Sequence, residues 1–280
     1  MIAEHVVKTG DKFHLNALQK FGIRAWDIEV IAAEKKKSFL PSVATEAASL
    51  EVSAEQVSAT LPSVRFIAKN NSTKAVVGYD VEMRTGGELR ANIQIRNRRS
   101  SPIIAPGQSY GTVFPIYYDR DADLAAEKIA DLQTNEVIIV KAALFEDGTA
   151  EGDPLAVWRI RAKAFGDKEM VSIAAQMIEK LLNSEASPTV ESAQTSFDAL
   201  PKQIERGRLD ELVKLSGMQG NEEIPRIRGN AVVSYGMTRS EILKDLGLFR
   251  SGRFGETVPE TTRKWLQGLL TEYRSWLKRL

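Results

Sequence analysis

The hydrophobic pattern of this 280-residue chain changes its period near Gly152. Between residues ~49 and ~145, short segments alternate apolar and polar side chains and are separated by turn residues, which indicates β-strands. From residue ~155 onward, apolar side chains recur every three or four positions, as they do in amphipathic helices. Because the strands precede the helices and do not alternate with them, the sequence predicts an α+β protein.

The strand half contains six candidate strands within about 100 residues, with turn signals about every ten residues, which is typical of an antiparallel β-sandwich. The alternation predicts that Val77 and Tyr79 lie on the same face of one strand. In the next strand Ile93 and Ile95 share the inward face. The side chains of that strand expected to face water are Arg90, Asn92, Gln94 and Arg96.

The last candidate strand, residues 136–145, is apolar on both faces. Such a strand is expected to lie in the middle of a sheet and to be covered on both sides. Simple alternation places Ala143 on the same face as Ile139 and on the opposite face from Val140.

The helical half has one clear start and several less sharply bounded segments. Asp153-Pro154 predicts a helix start, because Asp at the N-cap accepts backbone N–H bonds and Pro fits the first helical position. Residues 183–196 are rich in Ser, Ala and Thr and predict a polar linker. Thr238 with Glu241 fits a capping box. Later helical segments are expected at ~197–215, ~222–233, ~238–247 and ~260–280.

These patterns divide the chain into three parts. Residues 1–46 form an N-terminal extension with a helix and a candidate strand at ~24–32. Residues 47–152 form the β-sandwich domain, and residues 153–280 form an α-helical region expected to pack against it.

Composition excludes several kinds of chemistry. The chain has no cysteine, which excludes thiol nucleophiles, disulfides and Cys-ligated zinc or iron–sulfur sites. Only His5 and His14 are available to a His-dependent site, and they are expected to be ordinary surface or half-buried histidines. Phosphate-binding glycine motifs are absent, and the net charge of +1 supplies no general attraction for nucleic acid or anionic membranes. No cofactor is predicted.

The acidic segment between the two halves is the strongest candidate for a functional site. Its carboxylates could hold a divalent cation or act as paired acid–base groups. The candidate metal ligands are Glu146, Asp147, Glu151 and Asp153. A structural interpretation is favoured, because Asp147-Gly148 is a good turn dipeptide and Asp153 serves as a helix cap.

Two further charged segments carry weaker signals. Residues 119–130 begin like an EF-hand loop, but Leu124 and Ala130 stand where Gly and Glu are required, so a solvated loop is favoured. The arginines of residues 90–99 could contact phosphates, but no exposed aromatic residue is known to lie among them. A charge-protected edge strand explains these arginines equally well, so nucleic-acid binding is not predicted.

The last helix, residues 260–280, has a broad Trp- and Leu-rich face opposite basic side chains. This composition suits an interfacial membrane helix and also a helix docked within the protein or in a homodimer. Docking within the protein or in a homodimer is favoured, so this helix is the candidate contact for an unknown protein partner or a second copy.

No apolar stretch in the sequence is long enough for a signal peptide or for a membrane span, so no transmembrane segment is predicted. The chain is expected to be soluble and cytoplasmic by default. A trimmed export signal would instead place it outside the cytoplasm, so the compartment stays open.

Two short motifs frame the β-region. Asn70-Asn71-Ser72 supplies an N-x-S turn, and residues 145–152 fit the pattern Phe-x-Asp-Gly-Thr/Ser-x-x-Gly before a long helix. With these motifs, residues ~47–183 resemble uncharacterised bacterial proteins that have an immunoglobulin-like β-sandwich. The resemblance implies that fold but no activity, so no functional residue is carried over from it.

Two functions are therefore open. The favoured one is a non-enzymatic binding or scaffolding module, because the chain lacks the residues of most catalytic constellations. The alternative is a carboxylate- or divalent-metal-dependent hydrolase that uses residues 146–153, since that chemistry needs neither Cys nor His.

Overall fold

The computed structural model of the protein describes residues 40–56, 63–96, 103–115, 136–185, 187–218, 222–251 and 258–278. Residues 41–117 and 135–280 form one compact unit, and of the second unit only Leu40 is described. The strands are β1 (Ser42–Thr45), β2 (Leu50–Gln56), β3 (Ser63–Asn70), β4 (Val76–Thr85), β5 (Glu88–Arg96), β6 (Ser109–Pro115), β7 (Glu136–Phe145) and β8 (Ala150–Gly152). The helices are α1 (Pro154–Ser184), α2 (Val190–Asp198), α3 (Arg206–Ser216), α4 (Glu223–Arg250) and α5 (Pro259–Leu277). The α+β class is confirmed.

The strands form two sheets that face each other across an apolar core. One sheet has the order β1-β7-β4-β5, with β8 also paired to β7, and the other has the order β2-β3-β6. All pairings are antiparallel except that of β1 with β7. Phe66 and Phe114 of the smaller sheet share a core cluster with Tyr79 and Val140 of the larger one. The arrangement is sandwich-like, and β1 extends it into the predicted N-terminal extension, before the expected boundary at residue 47.

Strand β7 is central and covered on both sides, as predicted, but two irregularities change which side chains share a face. Asp80 pairs with Ala142 and Val81 pairs with Val140, so Lys141 is an extra residue in β7. Ala143 therefore joins Val140 in the sandwich core, and the prediction that these residues lie on opposite faces is wrong.

A second irregularity lies at the start of β4, between Val76 and Gly78. It turns Val77 away from the sandwich core and against Ala142 and Leu144, on the face that α1 covers. The prediction that Val77 shares a face with Tyr79 is therefore wrong, because alternation holds only within an unbroken ladder.

The outer faces of the two sheets differ. On the smaller sheet, the opposed pairs Glu55–Arg65 and Glu51–Lys69 form exposed ion pairs, so this face is solvated. The outer face of the larger sheet is covered by α1, whose Ile160 packs against Ala142 and Leu144 of β7. Strand β5 lies at the edge of this covered face.

The prediction that the polar side chains of β5 face water is wrong for three of the four residues. Asn92 and Gln94 donate hydrogen bonds to Asp80 at 2.8 and 2.7 Å. The Arg96 side chain is only 8% exposed and pairs with Asp167 of α1. Only Arg90 is exposed. The neighbouring helices cover this edge, which the alternation within β5 does not reveal.

Helix α1 starts where Asp153-Pro154 predicts, with the Asp153 carboxylate accepting a hydrogen bond from Ala156 N at 2.7 Å. The predicted linker at residues 183–196 is wrong over most of its length, because α1 continues to Ser184 and α2 starts at Val190. Its Ser and Thr residues form a capping box, in which Thr189 and Ser192 exchange hydrogen bonds at the start of α2.

The two helical segments predicted at ~222–233 and ~238–247 form one continuous helix, α4. The predicted capping box is therefore wrong: Thr238 is fully buried in the helix interior and donates its hydroxyl to Asp167 at 2.7 Å. The segment predicted at ~197–215 is helical only as the end of α2 and the separate helix α3.

The helices have their own core. In α5 the predicted apolar face is buried against α1 and α4, with Tyr273 and Trp276 among its fully buried side chains. Trp265 stacks on Phe249 at 4.4 Å between ring centroids and on Phe197 at 5.8 Å. Docking of this helix within the protein, one of the two favoured arrangements, is confirmed. Its use by an unknown protein partner or a second copy stays a prediction.

Several predictions fall outside the described residues. They concern the strand at ~24–32, His5 and His14, the EF-hand-like segment at 119–130, and Arg98 and Arg99. No helix of the described part has the length and apolar character needed to cross a membrane.

Candidate functional site

The acidic segment is built around a tight reversal of the chain. Strand β7 ends at Phe145, the turn at Gly148 has φ of 80°, and β8 then pairs back onto β7 before α1 begins. Gly152 has φ of 95°, and a Cβ there would lie 2.9 Å from Ala142 Cα, so only glycine fits this close approach. The side chains of the four candidate acids therefore project from different positions along a short hairpin.

Each acid is held by a different neighbour. Glu146 accepts a hydrogen bond from Ala75 N at 3.1 Å. Glu151 accepts two bonds from Ser49, at 2.7 Å from the amide and 2.6 Å from the hydroxyl. Asp153 caps α1.

Asp147 holds the turn. It accepts bonds from the amide and hydroxyl of Thr149 at 3.0 and 2.5 Å, and Lys74 Nζ lies 2.7 Å away. Within the described residues no group of three or more Asp, Glu, His or Cys side chains converges as a metal site would require. The structure thus separates the four carboxylates and gives each one its own hydrogen-bonding partners.

The hydrogen bond from Lys74 is the main reason that the pKa of Asp147 lies at about 2, and the two bonds from Thr149 lower it further. A carboxylate with a depressed pKa stays ionised at all ordinary pH values, so Asp147 is unsuited to act as a general acid. Its negative charge instead stabilises the turn through the contacts with Thr149 and Lys74.

We expect the Asp147 carboxyl to titrate near pH 2 in an NMR experiment, well below its ordinary value of 3.8. Because the folded-state pKa is depressed, the stabilisation is complete above about pH 4 and is lost as the pH falls through about 2. Lys74→Ala should move the titration midpoint upward toward 3.8. Lys69→Ala removes another exposed lysine of an ion pair and should leave it unchanged. An Asp147 midpoint near 3.8 in the unaltered protein would contradict this account.

Two further clusters of charge lie between the larger sheet and the helices, and the sequence did not indicate either. In the first, Asp80 is fully buried and accepts a hydrogen bond from Arg159 Nε of α1 at 3.2 Å. It also accepts the hydrogen bonds from the side-chain amides of Asn92 and Gln94 in β5. Arg159 also reaches Glu82, at 3.5 Å, and Glu82 pairs with Arg84 at 2.7 Å. Donors occupy both oxygens of Asp80, so this cluster holds α1 on the sheet and leaves no open position for a substrate.

The second cluster joins β5 to α1 and α4. Arg96 Nη1 donates to Asp167 at 2.7 Å and Arg96 Nη2 donates to Ser234 at 2.6 Å. The hydroxyls of Ser234 and Thr238 donate to the other Asp167 oxygen at 2.5 and 2.7 Å. Asp167, Ser234 and Thr238 are at most 1% exposed, so the Ser–Asp pair is closed to substrate and acts as a buried lock between three elements. Only the periodicity of α4, which places Ser234 and Thr238 one turn apart, could have indicated it.

The described part of the chain has small cavities near these features. A pocket of about 240 Å³ beside the acidic segment is lined by hydroxyl, Lys and Glu side chains that pair with one another. A groove of about 330 Å³ between α1 and α2 is mainly apolar, with Met177 and Leu200 in its wall. Neither brings free carboxylates together.

Among the described residues, a cluster of exposed apolar side chains lies on α4. Val232, Val233 and Met237 are 42, 54 and 53% exposed, and they occupy adjacent turns. We call the exposed side of this helix the α4 face; it consists of Glu222, Arg226, Gly229, Val232, Val233, Gly236, Met237, Ser240 and Lys244. Between Arg226 and Lys244 this face carries no charged side chain, which is unusual for a solvated helix surface.

Comparison with protein-family models, with curated proteins and with solved structures gives no match. The resemblance of residues ~47–183 to bacterial immunoglobulin-like proteins therefore stays a prediction, and the function has to be argued from this chain's own geometry.

Proposed function

We propose that the protein is a non-enzymatic binding or scaffolding module that presents the α4 face to a protein partner. The observation that carries this proposal is the concentration of exposed apolar side chains on the middle turns of α4. Apolar groups scattered singly over a surface need no explanation, whereas neighbouring ones mark interaction sites.

The buried hydrogen bonds behind the α4 face support a scaffolding role. Ser234 and Thr238 lie in the same helix as Val233 and Met237, and they are tied through Asp167 to Arg96 of the larger sheet. A surface held by buried hydrogen bonds loses little conformational freedom when a partner binds, which favours affinity.

An immunoglobulin-like sandwich and a cytoplasmic location are part of this proposal. Such domains consist of two antiparallel sheets packed face to face, and the two sheets here pack in that way and are antiparallel apart from the β1–β7 pair, which supports the first. The compartment would decide which partners can reach the α4 face.

Photo-crosslinking tests the binding role. The chain, carrying benzoylphenylalanine in place of Met237, is expressed in its native cells and irradiated; Leu215 of α3, 63% exposed, is the matched control position. We expect a protein adduct at 237 that is absent at 215. Adducts of equal yield at both positions, or none at 237, would contradict the proposal.

The alternative function is a carboxylate- or divalent-metal-dependent hydrolase using residues 146–153. The measurement is hydrolysis of nitrophenyl esters, phosphates and glycosides with and without Mg²⁺ or Ca²⁺. We expect no turnover above buffer, because the four acids are bound to separate neighbours. Turnover that Glu151→Gln abolishes would establish the hydrolase instead.

A further inference from the structure

The α4 face has an apolar middle and opposite charges at its two ends, because Arg226 near the first end is already paired with Glu223 at 3.1 Å and leaves Glu222 as the unpaired charge there among the described residues. Glu222 is exposed at the start of the helix and Lys244 is exposed near its end, and among the described residues neither has an ion-pair partner. The two charges are 22 positions apart, about 33 Å along a helix at ~1.5 Å per residue. We propose that the occupant of the α4 face is the α4 face of a second copy of this chain, packed antiparallel; this inference rests on the proposed function.

An antiparallel pair centred on Val233 makes the two faces complementary. A two-fold axis that passes between the two copies of Val233 pairs residues across the seam. Each residue then lies opposite the residue of the second copy that is equally far from Val233 in the other direction along the chain. Met237 then lies level with Gly229 of the second copy, so a long side chain meets the position that has none. The same operation brings Lys244 level with Glu222 of the second copy, at both ends of the seam.

Helical geometry places these residues on the contact side. At ~100° per residue, Glu222, Gly229, Met237 and Lys244 all fall within about 40° of Val233 around the helix axis. The paired residues are therefore at the same height and on facing sides of the two helices.

The middle of the face can be desolvated at little cost. The Ser240 hydroxyl already donates to Gly236 O at 3.0 Å, so burying it leaves no unmet donor. The glycines allow close approach of the two backbones, and Val233 and Met237 supply the apolar area that leaves water. Complementary charge at the ends selects the antiparallel arrangement, since a parallel pair would bring Glu222 next to Glu222 and Lys244 next to Lys244.

The expected dimer is weak. A seam of one helix per copy is smaller than the ~800 Å² per partner of standard interfaces, so we expect a Kd of about 100 µM. Sedimentation velocity of the purified full chain, from about 10 to 500 µM, should show a shift from monomer to dimer.

Cysteine crosslinking tests the position of the axis, and the chain has no native cysteine to interfere. Two helices ~8–10 Å apart with Cα radii of ~2.3 Å bring the axial Cα atoms to about 4–5 Å, within reach of a disulfide. Val233→Cys treated with diamide should give a disulfide dimer, while Leu215→Cys, exposed on α3, should give far less.

Charge reversal tests the pairing. Lys244→Glu should weaken dimerisation about tenfold, because attraction at both ends of the seam becomes repulsion. The double variant Glu222→Lys with Lys244→Glu restores opposite charges across the seam and should recover the dimer. A double variant that stays as weak as the single one would overturn the arrangement.

The outcomes separate this inference from the proposed function. A chain that stays monomeric at 500 µM and crosslinks equally at 233 and 215 overturns self-association. If the probe at Met237 still captures a different protein in cells, the binding role stands with another occupant. If that probe captures nothing and the purified chain also stays monomeric at 500 µM, both proposals fail.

Discussion

Arg96→Met is expected to lower the free energy of unfolding by about 3–5 kcal/mol, although it changes one side chain at the edge of a sheet. The substitution removes the guanidinium that pairs with the buried Asp167 carboxylate at 2.7 Å, while the hydroxyls of Ser234 and Thr238 still donate to that carboxylate. Removing one partner of a buried ion pair leaves an uncompensated charge in a medium that solvates it poorly. Urea unfolding followed by circular dichroism, with the midpoint and slope both fitted, measures the loss.

The matched control is Arg65→Met. Arg65 also lies in a strand and pairs with one acid, Glu55, at 2.9 Å, but the two side chains are 49 and 51% exposed. Exposed pairs contribute about 0–1 kcal/mol, so this variant should unfold almost as the unaltered protein does. Equal losses in Arg96→Met and Arg65→Met would show that burial at Asp167 is incomplete in solution.

A double variant separates loss of the pair from damage to packing. Arg96→Met with Asp167→Leu removes both charges, and an apolar replacement of a buried pair is often neutral. We therefore expect the double variant to be more stable than Arg96→Met alone. Hydrogen exchange at β5 and α4 should follow the same order, because this lock joins the two elements.

Local signals in the sequence predicted the features that depend on local geometry. The central strand Glu136–Phe145, the Asp153 cap and the Asp147-Gly148 turn lie where they were expected. In each case the decisive contacts are between residues close in the chain, or they follow from the apolar character of a single strand.

What alternation alone could not predict depends on an inserted residue or on a distant neighbour. Because Lys141 is an extra residue in β7, every later side chain of that strand lies on the opposite face from the one that alternation predicts. Nothing in the identity of Lys141 marks it as the extra residue. Arg96 looks like a solvated edge residue until α1 brings Asp167 to it, since burial of a charge is decided by tertiary contact.

The acidic segment illustrates both cases. Clustering in sequence left a metal site open beside the favoured interpretation as a turn and a helix cap. The reversal of the chain between β7 and α1 spreads the carboxylates onto separate partners. The α4 face was missed because the sequence pattern was divided into two helices. Only a continuous α4 places Gly229, Val233 and Met237 on one surface.

Gly166→Ala is expected to destabilise the protein by about 3 kcal/mol, although alanine has a higher helix propensity than glycine. Gly166 is buried within α1 where that helix crosses α4. A Cβ at this position would lie 2.9 Å from the Ala231 carbonyl carbon and 3.0 Å from Tyr235 N, both backbone atoms of α4. Real Cβ atoms do not approach backbone so closely, so the helices would have to separate.

Separation of α1 from α4 would disturb more than one contact. Asp167 follows Gly166 directly and holds Ser234 and Thr238, so a shift at the crossing also stretches the buried lock. Overpacking of a well-filled core costs about 1–3 kcal/mol, and the coupling to these hydrogen bonds places Gly166→Ala at the upper end.

The control substitution, Gly268→Ala, is expected to have the opposite effect on the stability of the protein. Gly268 lies inside α5, and a Cβ there would meet no atom within 4 Å. Gly268→Ala should therefore stabilise the protein by up to about 1 kcal/mol, because alanine loses less backbone freedom on entering a helix. Thermal unfolding of the two variants should move the midpoint in opposite directions from that of the unaltered chain. A Gly166→Ala midpoint at or above that of the unaltered chain would mean that α1 and α4 do not cross this closely.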